Sequence, residues 1–546
     1  MSAPPLDIFH CPLDRISLIE ASAGTGKTWN ICGLYMRLLL ERRLEVQGIL
    51  VVTFTNAATA ELRARIRSRI FETHAYLNGS AVPATDPFVE KLVTTLRSAH
   101  GLDDVEMKRR LDQALQTFDE AAIFTIHGFC QRALADTPFA AGMPMALELL
   151  RDDSEMRLEV AHDFWRRRIA SDALPPALAS HLMNGGDTPD TYAALLGRQL
   201  AKPLSRVLWP PEIEPNITLD RSEIDASFGA ARTLWLQERD AIVTCVTDAL
   251  PRLSGSTYKP STVATAVTQW NRFLSRDDPF AALDPKYKLD LLSQAKLVSK
   301  TNKGKEPPSA HRFFAQAEKL LELRAAFDRD LAFARLRLLR TLLSEGPDAL
   351  RRAKRERRVV AFDDMLYNVY ERLTGGACPW LAGSLRARFP AALIDEFQDT
   401  DPLQFAIFRA IYGDDDASLF LVGDPKQAIY SFRNADLHTY LRARNEATVE
   451  YTLAENQRST EELIAALNAL FTANDRAFML PGLDYRPVAF GTKPRAVLAD
   501  TTLPRAPLQL WSLSHDANGT LPTKAEARRA ATAACAAEIA LLIGAG

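Results

Sequence analysis

No run in this sequence approaches the ~20 apolar residues of a membrane span, and the opening MSAPPLDIFH lacks the basic and apolar blocks of a secretory signal. A cytoplasmic protein with no membrane association is therefore expected. Cysteine is scarce: Cys11, Cys32, Cys130, Cys245, Cys378 and Cys535 stand apart, without C-x-x-C spacing. That argues against a disulfide scaffold, a zinc ribbon or an iron–sulfur cluster. An excess of either charge is missing too. Lys+Arg 66 against Asp+Glu 68 gives a net charge of −2, so any surface for a polyanion must be local. Internal repeats and low-complexity tracts are absent, and 47% hydrophobic with 25% charged residues is a globular composition. At 546 residues the chain exceeds one ordinary core, and the usual domain size suggests about three or four domains.

What is present is organised around residues 18–28, LIEASAGTGKT. A short apolar run, 16–20, breaks into a glycine-bearing loop that ends in Lys-Thr and leads into a helical pattern over 30–41. This is the layout of a phosphate-binding loop made of Ala21, Ser22, Ala23, Gly24, Thr25, Gly26, Lys27 and Thr28. Gly24 and Gly26 let backbone N–H groups converge on an anion at a helix N-terminus. Lys27 is placed to reach the β- and γ-phosphates of ATP, and the Thr28 hydroxyl to bind Mg²⁺. Ala21 stands where the general pattern has its first glycine. The alternative is a glycine-rich strand-to-helix turn with no ligand.

Further apolar runs of strand length follow at 48–55 (GILVVTFT), 121–126 (AAIFTI), 391–397 (AALIDEF) and 418–424 (SLFLVGD), with a β-like run at 449–453. Continuous apolar strands are those of a parallel sheet buried on both faces. The expected fold class is α/β, a P-loop parallel sheet interrupted by a large helical insertion. Within 57–77, Arg63, Arg65, Arg67 and Arg69 surround an apolar stripe and read first as a solvated helix face. From about 139 to 358 the pattern is of long amphipathic helices with proline joints at Pro210, Pro211 and Pro215. The insertion ends in a basic run, Arg351, Arg352, Lys354, Arg355, Arg357 and Arg358, which is either a solvated helix end or a binding patch.

Ligands of open α/β sheets sit at the carboxyl ends of the strands, where the acids of two runs fall. Asp395 suits a Mg²⁺ ligand and Glu396 the residue that orients or deprotonates an attacking water. An acidic helix cap is the plainer reading of DEFQDTD. Gln427, after the next run, could sense a γ-phosphate; Arg458, in a polar turn, is by itself a surface residue and becomes a candidate arginine finger only through the resemblance below. Phe54, Thr55, Asn56, His127, Phe432, Arg433 and Asn434 form a second set at strand ends. There Phe54 and Phe432 suit base stacking, whereas Phe129 and Tyr430 read as core.

Taken with their order, LIEASAGTGKT, ILVVTFTNAATAELRARI, AAIFTIHGFCQR, LIDEFQDTDPLQF, GDPKQAIYSFRNAD and ENQRST resemble the UvrD-type superfamily 1 DNA helicases, and within them the RecB branch. The resemblance covers about 18–485 and is weakest across the insertion. It implies an ATP- and Mg²⁺-dependent motor moving 3′-to-5′ on single-stranded DNA from duplex ends, beside RecC-like and RecD-like subunits. It also implies a RecA-like ATPase domain at 1–140 and 359–450, a 1B-type insertion at 141–358, and the start of a second motor domain at 451–546. By matching position, Lys27 and Thr28 hold phosphate and metal, Asp395 and Glu396 are the Walker B pair, Gln427 the sensor and Arg458 the motif IV arginine. Phe54, His127 and Phe432 fall in the family's DNA-contact motifs, which makes them, with Thr55, Asn56, Arg433 and Asn434 beside them, the expected DNA-binding residues. Gln457 stands where the family has Trp or Tyr. Later motifs and a nuclease domain are not in the 546 residues, so slow hydrolysis and no unwinding are expected of this chain alone. Rival readings are an AddA-type or stand-alone UvrD-type helicase, or an inactive ATP-binding protein.

Overall fold

The computed structural model describes residues 3–80, 86–136, 148–172, 174–213, 219–280, 287–414, 417–430, 435–495, 506–513 and 519–544. Phe432, Arg433 and Asn434 lie outside them. The chain divides into two compact units, Met1–Leu147 with Phe362–Gly546, and Glu148–Ala361.

The strands, in chain order, are β1 (Ile16–Ala21), β2 (Ile49–Thr53), β3 (Ile123–Thr125), β4 (Glu148–Leu150), β5 (Val359–Ala361), β6 (Ala391–Ile394), β7 (Ser418–Gly423), β8 (Val449–Leu453), β9 (Glu455–Asn456) and β10 (Ala489–Phe490). In the first unit a six-stranded sheet runs in the order β3-β2-β6-β7-β1-β8, parallel throughout. Every residue of β2, β6 and β7 is buried. Their alternate residues divide between the two faces. Ile49, Val51, Leu393, Phe420 and Val422 join one core with the helices Lys27–Leu40, Asn56–Leu77, Phe88–His100 and Asp104–Gln116. Leu50, Val52, Ile394 and Leu421 are equally buried but outside that cluster. This is why the strands read as unbroken apolar runs and not as alternating ones.

Register decides where the site can form. Glu20 pairs with Gly423, Val52 with Ile394, and Ile394 with Leu421, so the carboxyl ends of β1, β2, β6 and β7 finish side by side. Arg37, in the helix Lys27–Leu40, ties down the N-terminal segment: 3% exposed, it donates to the carbonyls of Ile8 and Cys11 at 3.2 and 2.8 Å and pairs with Glu41. An arginine so buried is tolerated because both its charge and its N–H groups are matched.

The second unit is helical apart from the β4–β5 pair. Its spine is the helix Arg312–Arg357, and Trp235, Trp270 and Phe313 meet in one core with ring centroids 4.9–6.2 Å apart. Much of the basic run is structural. Lys354 is buried against Asp153 at 2.6 Å, Arg357 pairs with Glu159 and Arg351 with Asp348, while Arg352 and Arg355 are exposed. No helix among the described residues is long and apolar enough to cross a membrane.

Candidate functional site

The loop between β1 and the helix Lys27–Leu40 has φ of 78° at Gly24 and 89° at Gly26, a region that a Cβ disfavours. Thr25 ties the turn by donating its N–H and its hydroxyl to the Ser22 carbonyl, at 3.2 and 2.7 Å. Gly26 is the N-cap in left-handed conformation, so the helix begins at Lys27 and aims its first N–H groups at the loop. Ala21 closes β1 and is buried, while Lys27 and Thr28 are half-buried in the first turn. A cradle of this shape, at a helix N-terminus, fits a polyphosphate.

Asp395 and Glu396 follow β6 directly. The Asp395 N–H donates to the Val52 carbonyl at 2.9 Å, fixing the acid at the edge of β2. Burial, and then the neighbouring charge of Glu396, push the Asp395 carboxyl up to about 6, against the pull of Lys27. Glu396 has φ of 50°, a conformation uncommon for a side-chain-bearing residue. Its carboxylate accepts from Lys27 Nζ at 2.6 Å and from Gln398 Nε2 at 2.8 Å. The structure thus brings together the ends of the loop and of β6. For Mg²⁺, the donor set of Thr28 hydroxyl and Asp395 carboxylate is of the hard-oxygen kind the ion takes, and a carboxyl that resists ionisation alone gains from a nearby cation.

Gln427 lies in the turn after β7, its amide donating to Asp424 Oδ2 at 2.7 Å. Arg458 reaches the loop through its neighbours. Gln457 N–H donates to the Gly24 carbonyl at 2.7 Å, and Asn456 Nδ2 to the Ala23 carbonyl at 3.0 Å. Asn456 Oδ1 in turn accepts the N–H groups of Arg458 and Ser459, both at 2.8 Å. A Cβ on Gly24 would stand 2.9 Å from Arg458 Cβ, so the two backbones approach as closely as only glycine allows. The Gln457 side chain is occupied elsewhere, bonded to Glu455 and to the Lys493 N–H.

Of the second set, Phe54 is half-buried and lies 5.0 Å from the Tyr430 ring, which is itself half-buried. Thr55 caps the helix Asn56–Leu77 by accepting the Ala58 N–H at 3.1 Å, and Asn56 is exposed in its first turn. His127 packs edge-on against Phe362 at 5.9 Å, and burial lowers its pKa while Asp363 opposes the shift. Phe129 is core, stacked against Phe408. Among the arginines of the helix Asn56–Leu77, Arg63 donates to the Ala121 and Ile123 carbonyls and Arg69 pairs with Asp86.

Several site residues carry no signal in local sequence. Beneath the site, Lys426 joins Glu20 and Asp424 at 2.5 and 2.9 Å, and Arg486 approaches Glu20 at 3.4 Å. Burial works against the Lys426 charge, yet Glu20 and Asp424 outweigh it and hold its pKa above the ordinary value. Arg495 donates to the carbonyls of Asn456, Ser459 and Gly491 and lies over the Phe490 ring, pinning the segment that carries Arg458.

Comparison with known proteins follows the same stretch of chain. The profile of the UvrD/REP helicase N-terminal domain matches residues 6–448. The chain is 36% identical over 533 residues to the RecBCD enzyme subunit RecB of Escherichia coli strain K12, covering 95% of this chain and 43% of that protein. It is 32% identical to the RecB subunit of Haemophilus influenzae, over 89% of this chain and 42% of that one. For Mycobacterium tuberculosis RecB the figures are 28%, 84% and 30%. The chain therefore spans less than half the length of the curated relatives it matches.

Proposed function

The chain belongs to the UvrD/REP helicase family, and from that membership we propose that it is the ATPase motor of a RecBCD-type DNA helicase, moving 3′-to-5′ on single-stranded DNA. The observation that carries the proposal is the meeting of Lys27, at the head of a phosphate-shaped loop, with Glu396 at the end of β6. Lys27 would exchange Glu396 for the β- and γ-phosphates of ATP, leaving the carboxylate free to accept a proton from the attacking water. Thr28 and Asp395 would hold Mg²⁺, whose chemistry is to neutralise charge on the phosphate oxygens. Gln427 would read the γ-phosphate from the end of β7, and Arg458, carried on the segment bonded to Ala23 and Gly24, would meet the charge that develops in transfer.

In this reading 1–140 with 359–450 is the RecA-like domain, 141–358 the 1B-type insertion, and 451–546 the start of a second motor domain. Phe54, Thr55, Asn56 and His127, at the ends of β2 and β3, would face DNA together with Phe432, Arg433 and Asn434. Duplex ends as substrate, and RecC-like and RecD-like subunits as partners, are proposed on the similarity to RecB subunits. The test is ATP hydrolysis by the purified chain with and without poly-dT. Stimulation by the polymer is expected; a folded chain whose turnover ignores single-stranded DNA would overturn the motor assignment.

A further inference from the structure

Gln398 sits between the two halves of the site. The residue is 2% exposed and every polar atom of its amide is used. Nε2 donates to Glu396 Oε2 at 2.8 Å and to Asp399 Oδ2 at 3.2 Å, and Oε1 accepts the Asp424 N–H at 3.0 Å. Asp424 Oδ2 then accepts from Gln427 Nε2 at 2.7 Å. The result is one unbroken chain of hydrogen bonds, Lys27 to Glu396 to Gln398 to Asp424 to Gln427, that crosses from the end of β6 to the turn after β7. Room for it is made at Gly423, where a Cβ would stand 2.6 Å from Gln398 Oε1 and 3.0 Å from its backbone nitrogen.

We propose that Gln398 is a positioning residue that orients the Glu396 carboxylate and couples it to Gln427, so that the base and the γ-phosphate sensor move as one unit. This rests on the proposed function, in which Glu396 acts on the attacking water and Gln427 reads the γ-phosphate. Two physical points favour coupling over simple packing. The Glu396 carboxylate accepts from Lys27 and Gln398 on the same oxygen, so Gln398 is the partner that keeps it aimed when Lys27 leaves it for phosphate. An amide also bonds both ends at once: it donates to the acid and accepts from the turn, which a carboxylate of the same shape cannot do.

The experiment uses the 546-residue chain with poly-dT, measuring single-turnover ATP hydrolysis, binding of a fluorescent ATP analogue, and melting temperature. Gln398→Ala should slow hydrolysis about 10- to 100-fold, the range for losing a hydrogen bond to a charged group, with nucleotide affinity within about twofold of wild type. Gln398→Glu, isosteric but unable to donate to Glu396 when ionised, should do the same, and Gly423→Ala should mimic it by crowding Oε1. In a double-mutant cycle, Gln398→Ala and Gln427→Ala should be strongly non-additive. Wild-type hydrolysis in Gln398→Ala, or full additivity with Gln427→Ala, overturns the coupling. So does a parallel loss of nucleotide binding and melting temperature in both Gln398 variants, which would make the residue only structural. Glu396→Gln is the control: if it hydrolyses ATP normally, the proposed function falls and this inference with it. If it is dead while Gln398→Ala is unaffected, only the inference falls.

Discussion

Lys27 Nζ and Glu396 Oε2 lie 2.6 Å apart, an ion pair between residues 369 positions distant in the chain. In the proposed mechanism these are the cation meant for phosphate and the carboxylate meant for water. On that proposal, binding and readiness for hydrolysis would be linked, since a γ-phosphate that drew Lys27 away would release Glu396 in the same step.

Lys27→Ala should abolish nucleotide hydrolysis, lowering it by at least about 10²-fold, without unfolding the chain. The charge it removes faces the site, and its partner Glu396 is 34% exposed and can be rehydrated. Steady-state hydrolysis beside a circular-dichroism melt checks this. Undiminished turnover would sink the phosphate-loop assignment.

Glu396→Gln keeps the shape of the side chain and loses the carboxylate proposed as the base. Hydrolysis should fall by about 10²–10⁴-fold while ATP binding stays nearly intact. Titration with a non-hydrolysable analogue separates the two. Loss of binding together with loss of folding would mark Glu396 as a structural acid.

The sheet was legible because β1, β2, β6 and β7 are buried on both faces, and a strand buried on both faces shows as a continuous apolar run. The ends were less so. The run 391–397 predicts a strand through Phe397, but β6 stops at Ile394, and Glu396 at φ 50° turns the chain out of the sheet. The helix predicted from residue 30 starts at Lys27, because a left-handed Gly26 lets it begin directly after the loop. Lys27, Asp395, Glu396 and Gln427 could be named from motif and strand position. Gln398, Asn456 and Arg495 could not. Gln398 gains its role from Asp424, 26 positions on, and Asn456 from Ala23, 433 positions back. No local periodicity encodes such pairs.

Asp399 gives the site a pH signature. It is 6% exposed, its Oδ1 has no hydrogen-bond partner among the described residues, and burial, followed by the charge of Glu396, pushes its carboxyl up from 3.8 to about 6. Below about pH 4 the group is neutral in folded and unfolded chains alike. Between about pH 4 and 6 only the folded chain keeps the proton, so the contribution of Asp399 to stability falls as pH rises through that window and stays low above it. Asp399→Asn should therefore be more stable than wild type by about 1–3 kcal/mol near pH 7.5 and no different near pH 4. Urea denaturation at the two pH values reads this directly. A gain that is equal at both, or absent at the higher, would show that the carboxyl is not held neutral by its surroundings.

Phe54 presents a ring at the end of β2, braced by Tyr430. If bases stack on it, Phe54→Ala should weaken binding of poly-dT by roughly 1–3 kcal/mol and show little preference among homopolymers, because every base offers a π face. Anisotropy titrations at fixed salt measure the loss. Unchanged affinity would return Phe54 to the core.

The backbone of Arg458 is held beside the phosphate-shaped loop. Asn456 bonds the Ala23 carbonyl with its amide nitrogen and the Arg458 and Ser459 N–H groups with its amide oxygen, so loop and arginine share one anchor. A finger arginine contributes roughly 10³–10⁵ in rate, or about 4–7 kcal/mol of transition-state stabilisation. If Arg458 is such a finger, Arg458→Ala should lose that rate and keep most ATP affinity, because its charge would act where negative charge develops and not where ATP first binds. Asn456→Ala should lose less rate but also weaken ATP binding, since it frees the Ala23 carbonyl and loosens the loop itself. Pre-steady-state hydrolysis and equilibrium binding of the two variants decide the matter. If Arg458→Ala binds ATP poorly and hydrolyses what it binds at the normal rate, the arginine grips the ground state and is no finger.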